Sequence, residues 1–302
     1  ERSNGYNSFI DTALAPTEKD GFYLYGIDFL SSVNLTDAFK LSLNSKYYKQ
    51  HNEYDNNFAY PGDSALYFRD DKAFAFLVDL IYSSKNFSHK LILQPTYTNR
   101  INTSGAKYEY DGKKKKVEYL ISSRVFGLDN LIGLEFLSKN ANMTGLQAEK
   151  ETHSFFTEFR YNFTNTSFDI SLRREKDSDF GNFDTSRFQF NYNFLRNIII
   201  KSSIGSGYRT PTPYELFSSY GNKNLKPEKS LSYDSGLEIN FDKIRTNIYA
   251  GLFETKIEDL ITFASSKYRQ SINNLKTNGL EIRLQTSIQE NIVTGINYTK
   301  TN

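Results

Sequence analysis

Alternation with a period of two residues runs through almost the whole of this chain, and nothing else in it limits the fold as much. At 188–194 the order Phe-Gln-Phe-Asn-Tyr-Asn-Phe sets every aromatic ring on one side of an extended strand and every amide on the other. Successive side chains of a β-strand point to opposite faces, so such a segment has an apolar and a polar side. Phe168, Ile170 and Leu172 alternate in the same way with Asp169, Ser171 and Arg173. Leu280, Ile282 and Leu284 alternate with Glu281, Arg283 and Gln285, and Leu231, Tyr233, Leu237 and Ile239 with Ser232, Asp234, Glu238 and Asn240. Few segments carry a helical period.

A soluble antiparallel sheet produces the same pattern, so the connections have to decide. Short turns are predicted near 34–36, 85–87, 127–129, 165, 195–196, 242–243 and 289–290. Between them lie long polar segments at roughly 11–21, 50–71, 102–115, 140–151, 176–185, 208–229 and 263–268. Short and long connections alternate, which predicts an up-and-down meander of about 15 strands with all short turns at one end. Outer-membrane barrels have that asymmetry, and a soluble sandwich has no reason for it. Only 38% of residues are hydrophobic, low for a globular core, yet 16% are aromatic. Lipid against one face and a watery lumen against the other satisfy both faces at once. No run approaches the ~18 apolar residues of a membrane helix, which excludes a helical membrane protein. The predicted class is therefore all-β, an antiparallel up-and-down transmembrane β-barrel.

The remaining composition excludes several chemistries. Without Cys there are no disulfides, thiolate metal sites or cysteine nucleophiles, and three scattered His leave little for a histidine metal cluster. A net charge of +2 argues for no nucleic-acid partner. No nucleophile elbow or phosphate-cradling glycine loop is present, and the chain is expected not to be an enzyme.

The most specific stretch is Gly207-Tyr208-Arg209-Thr210-Pro211-Thr212-Pro213-Tyr214-Glu215-Leu216-Phe217, followed by Gly221-Asn222-Lys223-Asn224-Leu225-Lys226-Pro227-Glu228-Lys229-Ser230. By composition alone it is a loop punctuated by Pro and Gly. Its order resembles the signature of TonB-dependent outer-membrane receptors, carried by Gly207, Tyr208, Arg209, Pro211, Leu216, Phe217, Gly221, Asn222, Asn224, Leu225, Pro227 and Glu228. Asn273 to Glu281 resembles a later strand of the same family. Within the family the chain is most similar to the cobalamin-receptor type, through Ser3-Asn4-Gly5-Tyr6, Asp20-Gly21-Phe22, Tyr54-Asp55, Pro61-Gly62 and Phe180-Gly181.

The resemblance implies a barrel of about 22 strands filled by an N-terminal plug, of which this chain is expected to be an internal fragment. It implies uptake of a scarce large nutrient, cobalamin or another metal chelate, across the outer membrane of a Gram-negative bacterium. The inner-membrane TonB complex would supply the work through the plug. It also implies calcium in the first long loops, with Asn7, Glu18, Asp20, Tyr54, Asp55 and Asp70 at ligand positions, although Asn7 and Glu18 stand where the cobalamin receptor has aspartate. Oxygen-rich loops of this kind suit calcium, but acidic loop residues are as readily just solvated. Tyr54, Asn102 and Lys113 are candidate substrate contacts. The run Lys113-Lys114-Lys115-Lys116 is a solvated charge run or, in an extracellular loop, a contact for the phosphates of lipopolysaccharide.

Overall fold

A computed structural model describes residues 1–6, 19–54, 67–103, 106–289 and 291–302. Almost every described segment is strand. In chain order these are β1 (Arg2–Tyr6), β2 (Asp20–Asn34), β3 (Phe39–Glu53), β4 (Phe68–Ser83), β5 (Phe87–Thr103) and β6 (Lys107–Val125). Then come β7 (Leu128–Met143), β8 (Leu146–Asn162), β9 (Thr166–Asp177), β10 (Gly181–Leu195), β11 (Ile198–Arg209) and β12 (Glu228–Phe241). The last are β13 (Thr246–Glu258), β14 (Ile261–Ala264), β15 (Lys267–Gln270), β16 (Leu275–Gln289) and β17 (Ile292–Thr301). Fifteen of them form one sheet in strict chain order, interrupted only where β14 and β15 form a hairpin of their own. The predicted meander is present, but the expectation that all short turns lie at one end is not met: β5–β6, β7–β8 and β9–β10, at the opposite end, are joined by only two or three residues as well.

Three of the predicted long loops are not loops. Segments 102–115, 140–151 and 176–185 are mostly strand, with connections of only two or three residues between β5 and β6, β7 and β8, and β9 and β10. These hairpins continue the ladder past the apolar band, where both faces meet water. Alternation then disappears from the sequence while the backbone hydrogen bonds go on. The β7–β8 connection is Thr144–Gly145, both with positive φ (35° and 87°), the geometry of a two-residue hairpin turn whose twist matches its strands.

The chain divides into two compact units, residues 1–120 with 135–153, and residues 121–134 with 154–302. In the first, cross-strand partners sort by chemistry: Leu80 lies between Leu41 and Leu91, and Phe74 between Tyr47 and Tyr97. The residues between them, such as Ser42 and Asp79, form the opposite, polar face. In the second unit Phe190 lies between Phe168 and Ser202 on the apolar face, and Asn191 between Ser167 and Lys201 on the polar one. The polar face is cross-linked. Lys201 pairs with Glu238, and Asn247 donates to Glu238 Oε1 at 3.0 Å and to Asn240 Oδ1 at 2.7 Å.

No hydrophobic core lies behind the apolar face. Among the described residues the buried hydrophobic side chains are Tyr67, Ala73, Leu216 and Leu225, whereas Ile27, Leu30, Leu252 and Ile296 are each more than 60% exposed. A contiguous apolar surface of this extent needs cover, and within each unit none of the described elements supplies it. Among the described residues no helix is long and apolar enough to cross a membrane.

Candidate functional site

In the second unit, the Gly207–Ser230 stretch closes around one arginine. Arg209 ends β11 directly opposite Glu228, which begins β12. Its Nε and Nη2 donate to the two carboxylate oxygens of Glu228, each at 2.7 Å, the parallel fork that suits guanidinium to carboxylate. Its Nη1 donates to Glu215 at 3.0 Å and 3.2 Å. Glu215 belongs to a one-turn helix, α1 (Pro213–Phe217), with Thr212 at the N-cap. The Thr212 hydroxyl accepts from the Glu215 N–H, and the Glu215 carboxylate accepts from the Thr212 N–H at 2.7 Å, a reciprocal capping box. Proline at the first helical position costs nothing there, because that N–H has no intrahelical partner.

The rest of the signature packs the loop. Leu216 and Leu225 are buried. A Cβ at Gly221 would stand 2.7 Å from the backbone of Leu216, so only glycine fits. Asn222 takes its place by donating its N–H to the Glu215 carbonyl at 2.8 Å and accepting from the Asn224 N–H at 3.0 Å. Pro211 is buried, while Phe217 is exposed with Lys223 over its ring. Tyr208 stacks on Phe183 at 3.9 Å and donates its hydroxyl to Glu175. Glu228 also accepts the Ile261 N–H at 2.8 Å, and Gln270 exchanges two hydrogen bonds with the backbone of Lys226. The β14–β15 hairpin is thereby tied to the signature loop. Burial raises the Glu215 carboxyl, but the bonds from Arg209 and Thr212 outweigh it and hold the group below the ordinary glutamate value. Glu228 is held low chiefly by Arg209, against burial.

In the first unit, two of the three candidate substrate contacts meet. The Tyr54 hydroxyl donates to Asn102 Oδ1 at 2.6 Å and lies 2.7 Å from the Thr103 carbonyl oxygen. Asn102 faces Arg69 across the β4–β5 ladder, on the polar face near the ends of the strands. One step further on that face is Asp71, 3% exposed. Its two oxygens accept from Arg69 Nε and Arg100 Nε, each at 2.6 Å. Lys113 points the other way. It lies in β6 on the apolar-face side, beside Tyr97 and Asp111 in a recess of about 600 Å³ with Asn140 and Glu149.

The calcium candidates divide. Asn7, Glu18 and Asp55 lie outside the described residues. Asp20 opens β2. Asp70 Oδ1 lies 2.7 Å from His51 Nδ1, on the opposite face of β4 from Arg69 and Asp71, while the Tyr54 hydroxyl reaches Asn102. Among the described residues no group of three or more His, Cys, Asp or Glu side chains is placed to hold a metal.

The sequence profile of the family described as "TonB dependent receptor-like, beta-barrel" matches residues 2–302. The chain belongs to that family. Similar proteins include the vitamin B12 transporter BtuB of Photobacterium profundum, 22% identical over 257 residues, covering 82% of this chain and 41% of that protein. BtuB of Vibrio vulnificus is 27% identical over 162 residues, covering 50% of this chain and 26% of that protein. The chain thus spans less than half the length of these relatives. Among solved structures, the siderophore receptor PirA of Pseudomonas aeruginosa superposes with a TM-score of 0.77 at 15% identity, covering 95% of this chain and 56% of that one. A variant of the ferric enterobactin receptor PfeA of the same organism gives 0.81 at 15% identity, covering 98% and 54%. At such identities the likeness is one of fold.

Sequence reasoning passed over Arg69 and Arg100 as functional candidates, and counted Asp71 only among the acidic residues of the second long loop. Asp71 read as one more acidic loop residue, because 50–71 looked like loop throughout. Within β4 the spacing of Arg69 and Asp71 by two places them on one face, a signal that needed the strand boundary first.

Proposed function

We propose that the full-length protein is an outer-membrane receptor that captures cobalamin at the cell surface and admits it through the barrel lumen. The carrying observation is the two-faced single-layer sheet. Its apolar face needs lipid, and its polar face offers amides, hydroxyls and ion pairs to a solvated interior. The vitamin B12 transporters among its relatives support cobalamin as the substrate. The polar face, with Gln189, Asn191, Asn193, Asn240 and Asn247, supplies the hydrogen-bonding wall that a plug domain would lie against. A plug engaged by the TonB complex would supply the energy.

The solved siderophore receptors of the same fold make a ferric chelate the alternative substrate. Uptake decides between them. The full-length gene is expressed in a Gram-negative strain lacking its own cobalamin and siderophore receptors, with and without TonB. TonB-dependent accumulation of labelled cyanocobalamin supports the reading; accumulation of a ferric siderophore alone replaces it.

Two accessory contacts belong to the same reading. Calcium, if it orders the first two long loops, would draw on Asn7, Glu18, Asp20, Tyr54, Asp55 and Asp70. Lipopolysaccharide phosphates would meet Lys113 and Lys115, whose alternation with Lys114 and Lys116 turns them toward the lipid side. Lys116 is held by Glu118 at 2.7 Å and Glu135 at 3.1 Å. Among the described residues no ion pair engages Lys113 or Lys115. Lys49 and Lys72 lie directly opposite each other on that same side, just past the Tyr47, Phe74 and Tyr97 row. Like charges so placed repel unless an anion lies between them.

A further inference from the structure

We propose that Arg69 and Arg100, held side by side by the carboxylate of Asp71, form a binding site for an anionic group of the transported ligand, its phosphodiester where the ligand is cobalamin. The inference rests on the reading of the chain as a receptor and names the chemistry its wall selects.

Three observations carry it. First, the charges do not cancel. One buried carboxylate serves two guanidiniums, so the triad keeps a net positive charge. The next residues on that face, Gln50, Asn52 and Asn102, are all neutral.

Second, the cations are presented and the anion is hidden. The Asp71 side chain is 4% exposed, against 43% for Arg69 and 44% for Arg100. Each arginine spends its Nε on Asp71, and among the described residues no side chain accepts from the Nη groups of either. A guanidinium fixed through Nε has its outer edge already oriented, and that edge matches the spacing of two oxygens on phosphate or carboxylate. Fixing the side chains beforehand also removes entropy that binding would otherwise cost.

Third, the position fits capture. The triad lies on the polar face, next to the Tyr54–Asn102 pair, where β3 and β4 approach their long connection and β5 nears its end. An arginine pair meant to anchor a plug deep in the lumen has no reason to stand at the loop end.

The test uses the full-length receptor purified in detergent, with two probes: cyanocobalamin, and dicyanocobinamide, which lacks the phosphodiester and nucleotide. The variant Arg69→Gln/Asp71→Asn/Arg100→Gln removes the buried charge together with its partners, so that no unpaired carboxylate remains to unfold the sheet. Lys114→Gln is the control. The expected result is a loss of cyanocobalamin affinity of about 10- to 100-fold in the triple variant, with cobinamide affinity unchanged and the control like wild type. Arg69→Lys/Arg100→Lys, which keeps charge but not the fork, should fall between.

Equal losses for both probes, or none for either, would overturn the proposal while leaving the cobalamin reading intact. So would unaltered binding with a loosened plug, detected as faster protease cleavage of the plug. If wild type binds neither probe, the cobalamin reading fails first. The variants are then compared on a carboxylate-bearing ferric chelate and a ferric hydroxamate without free carboxylates. A loss confined to the carboxylate chelate supports the anion site, and indifference refutes it.

Discussion

At the scale of single residues, Arg209 ties together three successive elements. It holds β11 to β12 through Glu228 and both to the one-turn helix through Glu215. Glu228→Gln removes the charge from a fork and leaves a guanidinium half satisfied, which should cost about 1–3 kcal/mol of loop ordering. Protease cleavage within 210–227 should accelerate while the heat-resistant migration of the folded barrel stays unchanged. The same contacts give the loop a pH dependence. Glu215 and Glu228 both titrate below their ordinary value near 4.5 in the folded receptor. Their contribution is then complete above about pH 4.5 and is lost as pH falls through the lowered values. Loop cleavage should rise on acidification below that point in wild type and rise less in Glu228→Gln. The two faces offer a second residue-scale test. Phe190→Arg puts a charge on the apolar face between Phe168 and Ser202 and should cost about 2–4 kcal/mol of folding in vesicles if the site is near mid-bilayer. Asn191→Arg, one residue on, should be far milder. Equal losses would contradict the assignment of faces.

At the scale of elements, how legible a strand was depended on whether its two sides meet different solvents. Within the apolar band they do, and Phe188 to Phe194 could be read as strand from the sequence alone. Beyond the band both sides are wet, and β6 from Lys107 to Lys116 carries polar residues on both faces while remaining in the ladder. The lysine run therefore read as loop, and the faces of Lys113 and Lys116 could not be assigned until the register was known. The β14–β15 hairpin was missed for a related reason. Its two-residue turn is Ser265–Ser266, both left-handed, with φ of 54° and 58°, and serine carries none of the Asn-Gly or Gly-Gly signal such turns usually show. The distinction between loop and extended hairpin is measurable. Trypsin should leave the bonds after Lys113, Lys114 and Lys115 largely intact in the folded receptor, because a strand paired on both sides cannot enter a protease cleft. Prompt cleavage there would restore the loop reading.

At the scale of the whole molecule, the fold was legible because a barrel wall has no core to conceal its pattern. What stayed hidden was chemistry that exists only between strands: Asp71 opposite Arg100, Arg209 opposite Glu228, Lys49 opposite Lys72. The same exposed wall fixes the thickness of membrane that suits it. On β4 the apolar face runs from Phe74 through Phe76, Val78 and Leu80 to Tyr82, eight residue steps of about 3.3 Å, or about 26 Å along the strand. A tilt of 35–45° reduces this to about 20 Å measured across the membrane. Aromatic residues at both ends, Phe74 and Tyr82, suit the interfaces. The band is thus short against a hydrocarbon layer of about 30 Å, and the mismatch would have to be absorbed by thinning the bilayer. Full-length receptor diluted from urea should fold fastest and most completely into vesicles of saturated lipids with ten or twelve carbons per chain. Yield should fall steadily as the chains lengthen to sixteen or eighteen, with heat-resistant migration on gels as the readout. A yield that ignored chain length, or that rose with it, would mean that the exposed row from Phe74 to Tyr82 is not the surface that meets lipid.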